Sequence, residues 1–330
     1  MKVRVLSART IAGLLDFGEA IDYVERGYVA LFEGRVQTPP IQHLENPDVH
    51  GEIDVKSAVM RGSTPYVTVK AACGFYDNPA RGLPTGSAMV LLLDGSTGFP
   101  LALMDGWLLT SWRTGAAAGV ATNLLARADA RILGLVGCGE IAAMAARAVA
   151  RVRPLERVAV WAPPADLDLC RRFAATTGAD LGIEVVIAAS VADAVHQADV
   201  VVTATPSREA LVMLDMVRPG THITAIGADG PGKQELDARL TAGSRLFVDM
   251  VSQCRVAGEL QHPLREGLMS EADVHAEIGA VLAGAATGRE SADEITVFDS
   301  TGTAAQDIGL AALAFERALK MDAGSEVDLA

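Results

Sequence analysis

Four groups of residues in this chain are of types, and at spacings, that can do chemistry. The first is Gly137-Cys138-Gly139-Glu140-Ile141-Ala142, a GxGxxA turn. Glycines so spaced let a strand turn tightly into a helix, leaving backbone N–H groups and the helix N-terminus to bind a pyrophosphate, while a small third residue keeps helix and sheet close. The second is Gly227-Ala-Asp229-Gly-Pro-Gly-Lys233-Gln-Glu-Leu236, where an apolar strand delivers a carboxylate into a loop too rich in glycine and proline to be helical. Asp229 can there hydrogen-bond an amino group or move a proton through water; its plainer use is to cap a following helix. The other two are single cations, Lys70 in Val67-Thr-Val-Lys70-Ala-Ala and Arg113 in Leu109-Thr-Ser-Trp-Arg113-Thr-Gly-Ala-Ala. Arginine clamps a carboxylate with two hydrogen bonds, and lysine adds a point charge that can shuttle a proton when burial lowers its pKa; both are ordinarily surface cations.

A pyrophosphate turn needs a strand before it and a helix after it, and both are present. The apolar run Ile132–Val136 ends at Gly137, and an alanine-rich helical stretch follows over 143–152. Further strands at Arg157–Trp161, Glu184–Ile187, Val200–Thr203, 222–226 and Arg245–Val248 alternate with helical or turn segments, the rhythm of a doubly wound parallel sheet. NAD calls for an acidic residue at the end of the second of these strands. That strand ends Val160-Trp161-Ala-Pro-Pro-Ala-Asp166, with neither an acid nor an arginine at its tip. NAD and NADP both stay open, with Asp166 and the Arg171-Arg172 pair as more distant candidates.

The first part of the chain has a different texture. Ser7 caps a short helical pattern, a longer one runs over Phe17–Phe32, Gly34 stops it, and Thr38-Pro-Pro40 forces extended chain. Alternating strands follow at 53–60, 66–72, 88–93 and Pro100–Asp105, with turns at Gly62-Ser-Thr-Pro65 and Asp94-Gly-Ser-Thr-Gly98. Strand alternation points Lys70 away from Val67 and Val69. A small-residue helix over 109–125 leads to the second region, and after a strand within 295–302 a helix over 303–320 is expected to return to the first. The fold class is therefore α/β: a Rossmann doubly wound parallel sheet over 126–302, plus an α+β domain with an antiparallel sheet over 1–125, joined by the C-terminal helix of about 303–330.

A chain of 330 residues, half of them hydrophobic, is long enough to bury two cores. A net charge of −13 repels nucleic acid and anionic membranes, so neither is an expected partner. Cys73, Cys138, Cys170 and Cys254 lie far apart, which suggests free thiols and no metal site. With no secretory leader and no apolar run near the roughly 18 residues of a membrane span, a cytoplasmic protein is expected.

Taken together, Val69-Lys70-Ala, Gly82-Leu-Pro-Thr85, Asp94-Gly-Ser-Thr-Gly98, Leu109-Thr-Ser-Trp-Arg113-Thr114-Gly-Ala-Ala, Gly137-Cys-Gly139, Gly227-Ala-Asp229-Gly-Pro-Gly-Lys233-Gln-Glu-Leu and Val297-Phe-Asp-Ser-Thr-Gly302 resemble the ornithine cyclodeaminase/mu-crystallin family, in order, over almost the whole chain. The resemblance implies a homodimer built through the first domain's sheet, a Rossmann domain for NAD(H) or NADP(H), and an active site in the cleft between the domains. By residue, it implies that Lys70 and Arg113 hold a substrate carboxylate and that Asp229 is the catalytic carboxylate, with Lys70 sharing in catalysis. Thr85, Thr114, Ser300, Thr301 and Gly302 would lie by the cofactor. Gly137, Gly139, Glu140, Ile141, Trp161, Thr203, Ala204 and Thr205 complete the expected cofactor set. The segment around Asp229 is closer to the alanine dehydrogenase and ketimine reductase members than to the cyclodeaminases, in which a cysteine often follows the aspartate. Many members carry an arginine after the early proline, whereas this chain has Pro39-Pro-Ile-Gln42-His43. The stretches 51–56 and 74–84 resemble the ectoine-utilisation branch; His43, Glu52 and Lys56 then line a differently charged pocket, or else are ordinary surface. The expected activity is hydride exchange with the α-carbon of a small amino or imino acid. A redox-neutral ammonia lyase and a non-catalytic ligand-binding protein are the alternatives.

Overall fold

The computed structural model describes residues 2–62 and 65–329, so the turn expected at Gly62-Ser-Thr-Pro65 lies outside the described residues at Ser63 and Thr64. The chain forms two compact units, one of residues 1–113 with 303–330 and one of residues 114–302. The division falls inside the helix Gly106–Leu125 instead of at its end. Packing explains this. Trp107 near its start fills the space over Gly86, where no Cβ would fit, while Gly115 and Gly119 in its second half lie against Met144 and Ala148 of the helix Glu140–Val152.

The first unit holds an eight-stranded sheet in the order Ser325–Asp328, Lys2–Leu6, Pro100–Asp105, Gly86–Asp94, Tyr66–Phe75, Gly51–Met60 and Val36–Gln37, with Gln42–Asn46 also on Gly51–Met60. It is not wholly antiparallel as expected, because Lys2–Leu6 runs parallel to Pro100–Asp105. After Lys2–Leu6 the chain leaves through two helices and re-enters at the far edge, so the first strand meets its neighbour only after the meander is complete. Ser7 caps the first of these helices, and a capping box between Asp16 and Glu19 starts the second. The sheet's inner row, Ala58, Thr68, Val90, Leu92, Ala102 and Met104, is buried. The last helix, Ala304–Met321, packs on its central strands and against Phe17–Phe32. The outer row includes Val55, Val67, Val69, Met89 and Leu91, half-buried or exposed.

The second unit is built on an all-parallel sheet ordered Glu184–Ile187, Arg157–Trp161, Ile132–Val136, Val200–Thr203, His222–Ala225, Thr296–Asp299, Arg245–Val248 and Ala276–Glu277. Its central strands are buried on both faces, which is why Ile132–Val136 and Val200-Val201-Val202 read as apolar runs in the sequence, whereas the edge strands Glu184–Ile187 and Ala276–Glu277 are half-buried or exposed. Strand order reverses between Ile132–Val136 and Val200–Thr203, and ligands of such sheets bind at the carboxyl ends of the strands beside that point. No helix among the described residues is long and apolar enough to cross a membrane.

Candidate functional site

In the first unit, strand register places Lys56 directly opposite Lys70 on the buried face, with Val90 on the other side of Lys70. Two helices complete the surroundings. Thr110 Oγ1 accepts a hydrogen bond from Lys70 Nζ at 3.2 Å, and Arg113, one turn further along the same helix, is also buried. From the first turn of Ala304–Met321, Asp307 accepts from Lys70 Nζ at 2.8 Å through Oδ1, with Oδ2 at 2.7 Å, and its Oδ1 lies 3.3 Å from Arg113 Nε. Gln306 accepts from Arg113 Nη1 at 3.3 Å and donates to the Tyr28 hydroxyl at 2.8 Å.

The electrostatics follow from burying two close cations against one carboxylate. Burial, and then repulsion from Arg113, bring Lys70 down to about 7, with Asp307 pulling the other way. Burial also disfavours the charged form of Asp307, but attraction to Lys70 and Arg113 outweighs it and holds the carboxyl below its usual range. Lys70 is thus poised to change charge near neutrality while Asp307 stays ionised.

His43 joins this cluster only indirectly. Its Nδ1 lies 2.7 Å from Asp54 Oδ1 across the strand pair, and the other Asp54 oxygen is 4.0 Å from Lys56 Nζ. Burial alone would lower the His43 pKa, but Asp54 and Glu45 raise it above its ordinary value. Glu52 accepts from the Tyr76 hydroxyl at 2.6 Å. Thr85 is not part of the group: it precedes Gly86–Asp94 and lies about 17 Å along the strand from Lys70's register partner Val90.

In the second unit the glycine turn has the geometry a dinucleotide requires. Gly137 has φ +113°, and a Cβ there would sit 2.5 Å from the Ala204 carbonyl oxygen, so only glycine fits. Gly139 is the N-cap of Glu140–Val152; no side chain caps this 13-residue helix, and the space where a Cβ would point is open. Uncapped N–H groups beside an open cradle suit a pyrophosphate. Glu140 is exposed and Ile141 half-buried in the first turn, while Ala142 is buried against the sheet. Burial pushes the Cys138 thiol up to about 12, which keeps it protonated at neutral pH. Thr114 is buried in its helix, and Trp161 is half-buried at its strand's end, where its carbonyl accepts from Gly137 N–H at 2.8 Å. Of the candidates for the ribose, Asp166 and Arg172 both act electrostatically on Cys138, whereas Arg171 is paired with Asp168 at 2.9 Å.

Asp229 is half-exposed, and its Oδ1 accepts from Lys233 Nζ at 2.8 Å across a turn in which Gly232 takes φ +73°. It caps no helix, since the next element is the strand Gln234–Leu236. Sequence reading missed the carboxylates behind this edge. Glu235, fully buried, accepts from Thr203 Oγ1 at 2.6 Å, Thr205 N at 2.6 Å, Thr205 Oγ1 at 2.8 Å and Gly227 N at 2.9 Å, tying together the ends of two strands and the start of the Asp229 loop. Burial raises its pKa to about 7 despite those four donors. Thr203 and Thr205 therefore spend their hydroxyls on Glu235, and Ala204 between them is the residue Gly137 approaches. Asp249 does the same for the third loop, accepting from Ser300 Oγ at 2.9 Å, Gly302 N at 2.7 Å and Thr301 Oγ1 at 3.3 Å. Asp307 was missed as well. The signals available were a polar first turn, Thr303-Ala-Ala-Gln306-Asp307, on a helix that is then apolar as far as Phe315, and a glutamate, Glu235, in the short stretch that follows the Asp229 loop.

Known proteins resemble this chain over its whole length. The model of the ornithine cyclodeaminase/mu-crystallin family matches residues 1–322. Alanine dehydrogenase from Archaeoglobus fulgidus is 39% identical over 329 residues, spanning 99% of this chain and 98% of its own. An archaeal alanine dehydrogenase dimer with bound NAD superposes with a TM-score of 0.93 at 37% identity, over 100% of both chains. The Delta(1)-pyrroline-2-carboxylate reductase of Thermococcus litoralis, in complex with NADH and L-proline, gives 0.94 at 35% identity, over 98% of this chain and 100% of that one.

Proposed function

The chain belongs to the ornithine cyclodeaminase/mu-crystallin family, and from that premise we propose that it is an NAD(P)-dependent oxidoreductase exchanging a hydride with the α-carbon of a small amino or imino acid. The observation that carries this reading is the buried pair Lys70 and Arg113 sharing the single carboxylate of Asp307, a cationic site that suits one substrate carboxylate. Relatives named alanine dehydrogenase, Delta(1)-pyrroline-2-carboxylate reductase and iminosuccinate reductase support the substrate class. Structures with NAD or NADH bound support the cofactor.

In this reading Lys70 and Arg113 bind and orient the carboxylate. Asp229, steadied by Lys233, hydrogen-bonds the substrate nitrogen and takes or returns its proton. Gly137, Gly139 and the first turn of Glu140–Val152 hold the pyrophosphate, and Glu235 and Asp249 keep the neighbouring loops in place. When bound, the nicotinamide supplies or accepts the hydride. The apolar outer row of the first unit's sheet fits a second copy of the chain, and a neighbouring structure is a dimer, so we include a homodimer in the proposal.

The test is a screen of amino acids, keto acids with amines, and cyclic imines against NADH and NADPH, read at the nicotinamide absorbance band. The expected result is stoichiometric gain or loss of NAD(P)H with one small amino or imino acid. Release of ammonia without net change in NAD(P)H would overturn the reading in favour of a redox-neutral cyclodeamination.

A further inference from the structure

We infer that Asp307 is the positioning residue of the carboxylate site: it holds the Lys70 ammonium and the Arg113 guanidinium side by side and keeps Lys70 charged for the incoming anion. The inference rests on the proposal that these two cations bind a substrate carboxylate.

Two like charges this close and this deeply buried repel each other, and a residue that bridges them must itself be fixed. Asp307 meets both requirements. Its oxygens lie 2.7 and 2.8 Å from Lys70 Nζ, and Oδ1 is 3.3 Å from Arg113 Nε. It sits in the first turn of an 18-residue helix whose start is held by the Gln306 side chain, which accepts from the Thr303 N–H at 2.8 Å. Gln306 is anchored in turn to the Tyr28 hydroxyl. The helices approach so closely that a Cβ at Gly27 would lie 2.8 Å from the Ala305 carbonyl oxygen, so Asp307 cannot drift without unpacking both.

The charged groups facing Lys70 are Lys56 from the adjacent strand, Arg113 from Gly106–Leu125 and Asp307 from the last helix; Thr110 adds a neutral acceptor and Val90 an apolar wall. Of these charges only Asp307 favours the ammonium, while burial, Arg113 and Lys56 disfavour it. Removing the Asp307 charge therefore takes away the carboxylate that offsets burial, Arg113 and Lys56 at Lys70. A shift of one unit in that titration changes the charged fraction above it about tenfold.

The experiment compares wild type, Asp307→Asn, Asp307→Glu and the double variant Asp307→Asn with Lys70→Arg in the full chain. Calorimetric binding of propionate and L-alanine is measured from pH 6 to 9, with KM and kcat taken on the substrate found by the nicotinamide screen and NADH binding as the control for an intact second unit. In wild type, carboxylate affinity should fall as pH rises through about 7. In Asp307→Asn that fall should move at least about one unit to lower pH, weakening binding about tenfold at pH 8. The double variant, whose arginine stays charged, should bind at pH 8 more tightly than Asp307→Asn and lose the pH dependence. Asp307→Glu keeps the charge but displaces it by one methylene, so KM should rise severalfold with kcat and the pH limb nearly unchanged. This variant decides the matter if Asp307→Asn does not fold. An Asp307→Asn protein that binds as wild type does, with the same pH dependence, overturns the inference, as does an Asp307→Glu protein with unchanged KM. A wild type that binds NADH but no carboxylate at any pH overturns the carboxylate-site reading beneath it, which is a separate outcome.

Discussion

Replacing Glu235 with Gln probes how the edge of the parallel sheet is held together. The buried Glu235 carboxylate accepts four hydrogen bonds, two through each oxygen. An amide keeps one accepting oxygen. If this faces Thr205, the NH2 group opposes the Gly227 N–H, and a buried backbone donor left without an acceptor costs about 1–3 kcal/mol. The Thr203 hydroxyl can rotate to accept instead. Against this loss stands the penalty of burying a charge. Glu235 titrates at about 7 in the native protein against 4.5 for the ordinary group, so between those values the native state binds a proton that the unfolded state has released. The resulting stabilisation is complete below the lower value, declines as pH rises, and is gone above the higher one, an amount of about 3 kcal/mol at 1.36 kcal/mol per unit. Glutamine never ionises and loses nothing over that range. Glu235→Gln should therefore be less stable than wild type at pH 5 and should equal or exceed it at pH 7.5. Urea unfolding at the two pH values, followed by tryptophan fluorescence in a Trp107→Phe, Trp112→Phe background that leaves Trp161 of the second unit as the reporter, measures the gap. A gap that stays constant between pH 5 and 7.5 would refute the reasoning, because it would mean that the four donors keep Glu235 ionised throughout.

The two glycines of the dinucleotide turn should separate fold from binding. Gly137→Ala forces a Cβ against the Ala204 carbonyl at positive φ and should lower both the melting temperature and NADH affinity, whereas Gly139→Ala, with φ −84° and open space, should melt as wild type yet lose NADH binding in a fluorescence titration. Asp229→Asn should reduce turnover by about 10²–10⁴-fold with NADH affinity unchanged; steady-state kinetics showing full activity would remove Asp229 from the reaction. The proposed homodimer should be split by Leu91→Glu, which places a charge on the outer row of the first sheet: sedimentation velocity should give a monomer for the variant under conditions where wild type gives a dimer.

The parallel sheet could be read from the chain because strands buried on both faces must be apolar throughout. Val200-Val201-Val202 before a proline-containing turn, and Ile132–Val136 before the glycines at 137 and 139, read as buried strands for that reason. The edge strands Gln42–Asn46 and Ser325–Asp328 carry the sequences QHLEN and SEVD, with no apolar period, and exist only because a neighbour pairs with them. The chemistry divides in the same way. Lys70, Arg113 and Asp229 stand out as charges in apolar or glycine-rich surroundings. Their partners do not, because partnership is long-range: Asp307 is 237 positions from Lys70, and Glu235 is 32 from Thr203. On the sequence Asp307 looks like any acid in a helix's first turn, where the macrodipole alone would account for it. The register that sets Lys56 beside Lys70 depends on a strand pair whose turn has no signature for the cluster.

The first unit is assembled from two stretches of chain with the whole second unit between them. This arrangement sets an order of events during synthesis, when domains tend to fold as they emerge. Residues 114–302 are contiguous, so the dinucleotide-binding unit draws its whole sheet from one stretch of chain. The first unit must wait, with Lys70 and Arg113 in the chain but their shared carboxylate not yet made. A truncated product lacking residues 303–330 would carry a finished nucleotide fold beside a sheet whose buried face holds two uncompensated cations and lacks its covering helix.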